Sequence, residues 1–442
     1  MSTKGIPHTS ALGRKPKLIT ENKVRVNGKT ISSKSIVPYH QVKQIHGRPV
    51  YQTIDFKGVP SNLLQSTSRF VGQIQQGSLT KINSATLRLR IRVNSTNSDC
   101  VLEPAPFWFD RIEIKAQNGS KMITKIYGDT NYFNLNIVDN DRAYTVKEKA
   151  LLDPTSMGSI VVDRADQDEL TIYLPLVGSV FGLNEIYFEN SVGDLNVEFF
   201  PAGPTSVTQT AASSVDVLDM DLICQSEELH GHDVEIHRQH FGNNVNTFRF
   251  LEPIENHHYA KTVTEGQELR LDLDAITGSV SHLLVMCRPT SAVSSEEWTT
   301  NFGDIGSTTT VDVESNTGKS LFGGGTRVPL DYLTTEVFSG HFSSQFYKRL
   351  TRADDATAGL IFRGRENGVF VIPFCNNTTQ SYHGIVDGCL TLKGERNYLS
   401  IMPSGLPAGV SGTTFDIKIY AYIYRQVGKQ AGRYASTDDY CE

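Results

Sequence analysis

Through most of this chain apolar residues recur at every second position, the mark of strands with one face buried. In "LRLRIRVN", Leu87, Leu89, Ile91 and Val93 fall on one side, and Arg88, Arg90, Arg92 and Asn94 on the other. Three successive outward arginines read either as a polyanion stripe or as the solvated or partner-facing side of a sheet, with carboxylates on the neighbouring strand. In "FWFDRIEIKAQNGSKMITKIYGDTNYFN" (107–134), Ile112 and Ile114 alternate with Arg111, Glu113 and Lys115, and Asn118-Gly119 supplies the positive backbone angles of a type I′ turn. That stretch predicts a hairpin. Further strands are expected at "ELTIYLPL" (169–176), "DLNVEFF" (194–200), "VLDMDLIC" (217–224), "QELRLDLDAI" (267–276), "SHLLVMC" (281–287), "GVFVIPF" (368–374) and "FDIKIYAYIY" (415–424). Helical patterning is confined to "TNYFNLNIVDN" and "TVKEKALL". The chain reads as all-β.

The strands also repeat. "LRLRI" at Leu87 matches "LRLDL" at Leu269, an offset of 182; "TIYLPL" with Pro175 matches "VFVIPF" with Pro373, an offset of 198. Leu218, Met220, Leu222 and Cys224 match Ile417, Ile419, Ala421 and Ile423, an offset of 199. A duplicated sandwich with a longer loop in its second copy would give this pattern. The Ser-, Thr- and Gly-rich stretch 288–335 is the expected loop, long enough to be functional. A chain of 442 residues also exceeds what one core organises. The expectation is two tandem eight-stranded jelly-roll sandwiches, a double jelly roll. Residues 1–49 would be an N-terminal arm, 50–229 the first sandwich, 230–426 the second and 427–442 a tail.

Charge adds an asymmetry. Residues 1–49 hold ten Lys or Arg against Glu21 alone, a balance of +9, and with −6 overall the remaining 393 residues carry −15. A basic arm ahead of an acidic body suits polyanions or acidic protein surfaces, the alternative being a solvated tail. No apolar run is long enough for a signal peptide or a membrane span, so synthesis and residence in one compartment are expected. Cys100, Cys224, Cys287, Cys375, Cys389 and Cys441 lack CxxC spacing and read as free thiols.

One cluster carries candidate chemistry. "HGHDVEIHRQHFG" places His230, His232, Glu235, His237, His240 and Gly242 within thirteen residues. Cupins, metal-binding jelly rolls, use a similar His-x-His, Glu and Gly grouping because alternate strand positions aim imidazoles at one ion. Here Cys224 stands where a leading glycine belongs, only two residues separate His232 from Glu235, and "MPSGLPAG" is followed by no second-motif histidine. The competing reading is a polar linker between sandwiches. "SNTGKS" lacks the leading glycine of a phosphate loop, with Val313 in that place, and reads as a surface turn. Asp216, Asp219 and Asp221 read as calcium ligands or as the outer face of a strand. Tyr420, Tyr422 and Tyr424 share one face, either as a sugar-binding row or as inter-domain or subunit packing.

"FDRIEI", the Asn-Gly turn, and "IYGDT" leading into the aromatic helix "NYF", together with "LTIYLPL", resemble the first sandwich of double jelly-roll major capsid proteins. These are of the polinton-like virus and virophage type, within the adenovirus-hexon lineage. The likeness covers about residues 50–425, its second half resting mainly on spacing and on "VFVIPF". It implies a structural role without catalysis, cofactor or small-molecule substrate. Three chains would form a pseudo-hexagonal homotrimeric capsomer that tiles an icosahedral shell beside neighbouring capsomers, penton and minor capsid proteins. Outer loops, 288–335 among them, would form the exterior and the termini would lie inside. The arm residues Arg14, Lys15, Lys17, Lys23, Arg25, Lys29 and Lys34 would then meet packaged DNA or clip protein neighbours. The expected location is the virion capsid of a DNA virus, assembled in the host cytoplasm or nucleus without a secretory signal. The competing functions are a cupin-type metalloenzyme using His230, His232, Glu235 and His237, and a carbohydrate-binding sandwich using the tyrosine row.

Overall fold

The structure is a computed structural model that describes residues 19–26, 29–36, 47–65, 68–76, 79–94, 100–116, 119, 121–136, 150, 160–162, 169–178, 181, 187–189, 194–208, 214–235, 247–290, 303–334, 368–378, 386–393, 396–430 and 433–438. Its first half holds β1 (Arg48–Asp55), β2 (Phe70–Ile74), β3 (Leu79–Asn94), β4 (Phe109–Ala116), β5 (Lys121–Tyr127), β6 (Glu169–Leu176), β7 (Leu195–Pro201) and β8 (Ser214–Glu228). Helix α1 (Gly128–Asn136) follows β5 directly. The second half holds β9 (Thr247–Glu255), β10 (Leu269–Asp272), β11 (Thr277–Pro289), β12 (Thr310–Ser315), β13 (Val328–Pro329), β14 (Val369–Pro373), β15 (Asn397–Met402) and β16 (Thr413–Gln430).

All pairings among these strands are antiparallel, and their order is that of a jelly roll twice over. Sheet β1-β8-β3-β6 packs on β2-β7-β4-β5, and β9-β16-β11-β14 on β10-β15-β12-β13. Adding eight to each label of the first pair yields the second. The chain is therefore a double jelly roll, as its period-two patterning predicts.

Register gives the correspondence between copies. Leu87 pairs with Leu174 and Leu222, while Leu283 pairs with Ile372 and Ala421. Leu174 to Ile372 and Leu222 to Ala421 fall at the expected offsets of 198 and 199. The counterpart of Leu87 is Leu283, at 196, and not Leu269. Leu269 lies on β10, which answers to β2 in the opposite sheet. Alternating leucines mark any half-buried strand, so the early match paired two strands of different place. With offsets of 196 to 199, the copies need no large insertion between them. Nor is 288–335 one loop: it contains the end of β11, all of β12 and the two-residue β13.

Alternation places the cores. Leu87, Leu89 and Ile91 of β3 enter the first core with Ile112, Ile114, Val197 and Leu222; Val311, Val313, Leu399, Ile401, Ile417 and Ile419 fill the second. The first is centred on phenylalanines, with Phe199 5.5 Å from Phe70, 5.1 Å from Phe109 and 5.3 Å from Phe56 between ring centroids. Trp108 is buried beside them and its Nε1 donates to the Glu103 carbonyl at 2.9 Å, so the indole enters an apolar core without an unmet donor. The β4–β5 hairpin turns at Gly119, whose φ of 91° lies in the region glycine adopts freely.

The segment read as a bare basic arm contains a hairpin, Ile19–Val26 paired with Lys29–Ile36, which places Lys23 opposite Ser32 and Lys34 opposite Glu21. Beyond the second sandwich, Arg433–Asp438 pairs with the far end of β16. The candidate helix "TVKEKALL" falls outside the described residues apart from Ala150.

Candidate assembly surfaces

Sheet β9-β16-β11-β14 is apolar on both faces. On β16, Ile417, Ile419, Ala421 and Ile423 line the second core, while Tyr420, Tyr422 and Tyr424 join the first cluster. Leu284, Met286, Val371, Phe250 and Leu251 accompany the tyrosines there, so this sheet's outer face is sealed against the first sandwich. The tyrosine row is inter-domain packing. The carbohydrate-binding alternative is corrected accordingly, because all three rings are fully buried.

What covers the tyrosines is β5 and α1. Tyr127 lies 5.4 Å from Tyr420 between centroids, the Tyr422 hydroxyl donates to Asn134 Oδ1 at 3.3 Å, and the Lys125 backbone N–H donates to Glu252 at 3.2 Å. Helix α1 begins where "IYGDT" allows: a Cβ on Gly128 would lie 2.4 Å from the Phe109 carbonyl oxygen, so only glycine permits this close entry. The next residue, Asp129, then sits in the helix's first turn, where a carboxylate is favoured.

Asp129 is the ionic centre of the joint. It accepts hydrogen bonds from Arg288 Nη2 at 2.7 Å, Lys418 Nζ at 3.0 Å and the Tyr420 hydroxyl at 2.7 Å. Arg288 is 2% exposed, and its guanidinium carbon lies 5.6 Å from the centroid of the Phe107 ring. Burial alone would push the Asp129 carboxyl up, but Arg288, Lys418 and Tyr420 outweigh it and hold the group well below the usual carboxylate range. Burial raises Glu252, despite the opposing Arg425, and it raises Tyr127 to about 12. A cleft of about 400 Å³ opens beside the joint, lined by Phe109, Asp110, Arg111, Phe200, Lys418 and Tyr420 among others. Its cations are already engaged: Arg111 with Asp110 and Glu113, Arg288 and Lys418 with Asp129.

The corresponding face of the first sandwich is charged and open. Arg88 pairs with Asp219 at 3.0 Å and with Asp221, while Arg90 and Arg92 reach Glu169 at 3.4 and 2.5 Å. These contacts decide between the sequence alternatives: the arginine stripe has carboxylates on both neighbouring strands. Asp219 and Asp221 serve as those partners rather than as calcium ligands, and Asp216 accepts from Asn94 Nδ2 at 2.7 Å. On the same sheet Tyr51 is 70% exposed.

His230 and His232 do not lie on a strand. β8 ends at Glu228, and the described residues 232–235 are helical. His230 meets Glu228 at 3.3 Å and His232 meets Glu235 at 3.6 Å, so each imidazole faces its own carboxylate. His237 and His240 lie outside the described residues. Among the described residues no group of three or more His, Cys, Asp or Glu is placed to hold a metal ion. Of the arm residues, Arg14, Lys15 and Lys17 lie outside the described residues; Lys23, Arg25, Lys29 and Lys34 belong to the backbone of the hairpin. Cys224, Cys287 and Cys375 are buried free thiols, and burial pushes Cys224 and Cys287 up to about 12.

Sequence reasoning passed over Asp129, Arg288 and Lys418 as functional. The signal was a lone arginine closing the apolar run "LLVMCR".

No protein-family profile matches the chain, and no curated protein sequence does. Solved structures do match. PBCV-1 VP54, as fitted into a reconstruction of the virophage Sputnik, aligns with a TM-score of 0.61 at 12% identity, covering 90% of this chain and 98% of that one. The Faustovirus major capsid protein aligns with a TM-score of 0.59 at 8% identity, covering 89% and 92%. The mavirus major capsid protein aligns with a TM-score of 0.51 at 13% identity, covering 99% and 97%. The chain thus shares the double jelly-roll fold of viral major capsid proteins over nearly its whole length. Among the described residues no helix is long and apolar enough to cross a membrane.

Proposed function

We propose that this chain is a structural major capsid protein and not an enzyme. The observation that carries the reading is the joint: two complete jelly rolls locked side by side by a sealed sheet and the Asp129 network. That construction supplies a rigid two-lobed tile. A heterologous contact repeated around an axis closes into a ring, and three two-lobed tiles give six similar lobes, which suits hexagonal packing in a shell. The likeness in fold to capsid proteins over nearly the full chain supports the same conclusion.

On this reading the partners are two further copies in a homotrimer, then neighbouring capsomers, penton and minor capsid proteins within the virion. The sandwiches span 50–229 and 230–426, and the basic arm faces the shell interior. If the arm contacts packaged DNA, the log-log salt slope of binding steepens by about 0.9 for each phosphate neutralised. If it clips proteins, the slope is shallower. Electron microscopy of the purified chain tests the function: the reading expects three-fold particles of hexagonal outline, and a field of isolated two-lobed particles contradicts it.

A further inference from the structure

The outermost strand of a sheet turns every second backbone N–H and C=O away from its partner, and a row of such groups invites a strand from another chain. In the four sheets the outermost strands are β1 and β6, β2 and β5, β9 and β14, and β10 and β13. Proline answers for several of them. The Phe374 N–H donates inward to the Ser281 carbonyl, the Leu330 N–H to the Thr309 carbonyl and the Asn256 N–H to the Ile419 carbonyl, each at 2.8 Å. Alternation along the strand then turns the nitrogens of Pro373 in β14, Pro329 in β13 and Pro253 in β9 to the free side. At each of these places a ring stands where an outward N–H would be. β1 carries a proline too, Pro49.

On the remaining edges side chains stand in for a strand. Asn131 of α1 lies against β6, its Nδ2 donating to the Pro175 carbonyl and its Oδ1 accepting the Val177 N–H, both at 3.1 Å. On β5 the Lys125 N–H goes to Glu252, and the Thr130 hydroxyl both accepts from the Tyr127 N–H at 3.1 Å and donates to the Tyr127 carbonyl at 3.0 Å. On β10 the Asp272 carbonyl accepts from Asn256 Nδ2 at 2.7 Å and from the Tyr259 hydroxyl at 2.5 Å. On β2, Val71 exchanges both its hydrogen bonds with Lys57, at 3.0 and 3.1 Å, and just past the strand the Gln75 carbonyl accepts from Gln52 Nε2 at 3.2 Å. All of these partners belong to the same chain, so the edges are answered as soon as one chain folds.

We propose that these prolines and side chains form a guard against strand addition: the folded chain closes its own sheet edges, and a second copy is barred from continuing any of the four sheets. A chain that is mostly half-buried strand needs such a device. Its apolar alternation would otherwise let an open edge template the pairing of another copy, and that pairing would propagate. The guard is distributed, with a proline where no neighbouring side chain reaches the edge and a side chain where one does. It holds whatever the chain builds, so it stands or falls apart from the capsid reading.

The test uses the full chain with Pro329→Thr, Pro373→Thr and the two together, each of which restores an outward N–H at a position that is exposed or half-buried. Ile401→Val is the control, since it weakens the second core and leaves every edge as it is. On prolonged incubation the proline variants are expected to lose soluble protein and to gain amyloid-dye fluorescence, the double variant most, while wild type and Ile401→Val stay dispersed and dye-silent. Circular dichroism before incubation is expected to match wild type, and the single variants carry the test if the double one fails to fold. Folded proline variants that remain as soluble and dye-silent as wild type overturn the proposal. So does an Ile401→Val chain that aggregates as they do, because lost stability and not an opened edge would then be the cause. The oligomer size of the wild type is read separately by sedimentation and bears on the capsid reading alone.

Discussion

Asp129 concentrates the energetics of the joint in one carboxylate, because the guanidinium of Arg288 has been taken out of water to meet it. Asp129→Asn keeps the shape and removes the charge, leaving a buried cation without its counter-ion. The expected loss is roughly 3–5 kcal/mol, read as a lower urea midpoint. The pH dependence follows from the depressed carboxyl. Its contribution is fully present above the unfolded carboxylate value of about 3.9 and is lost as pH falls through the folded value, so the gap between wild type and Asp129→Asn stays constant near neutrality and narrows below about pH 4. Glu252 has the opposite sign: raised by burial, it binds its proton more tightly folded than unfolded, so its share of stability grows as pH falls from its raised folded value to the unfolded carboxylate value and is constant below that. Cys224 and Cys287, buried and pushed up to about 12, are expected to resist an aromatic disulfide reagent until the protein unfolds; rapid labelling of both in the native state would contradict their placement.

Among elements, the β4–β5 hairpin shows how local chemistry sets a wall. Gly119→Ala puts a side chain at a φ of 91° and a Cβ 2.7 Å from Asn196 Nδ2, so a loss of about 1 kcal/mol or more is expected in the melting transition. Much at this scale was legible in the chain. Pro175 and Pro373 close equivalent strands, and the alternation around Leu222 and Ala421 located β8 and β16 because a one-residue slip would turn every apolar side chain outward. Leu269 misled for the same reason: period two says that a strand is half-buried and is silent on which sheet owns it. β13 was invisible because two residues carry no period. The tyrosine row was legible as packing or as a platform, and only burial chose between them. Arg288 was overlooked because its partner lies 159 residues away and the pairing exists only once the lobes meet.

At the scale of the whole molecule, the outer face of sheet β9-β16-β11-β14 is covered by the first sandwich. Expressed alone, residues 230–442 would expose the sheet that carries Tyr420, Tyr422, Tyr424, Leu284 and Met286. An apolar patch of that kind is expected to drive aggregation and strong binding of a hydrophobic dye, which the intact chain avoids. A soluble, dye-silent fragment would contradict the sealed joint. The central claim, a two-lobed tile that builds a shell, meets its most direct test in the solution mass of the purified full chain across concentration. The account predicts a species of three times the 48.9 kDa chain mass that yields to larger assemblies as concentration rises. A mass that stays at one chain throughout would contradict it.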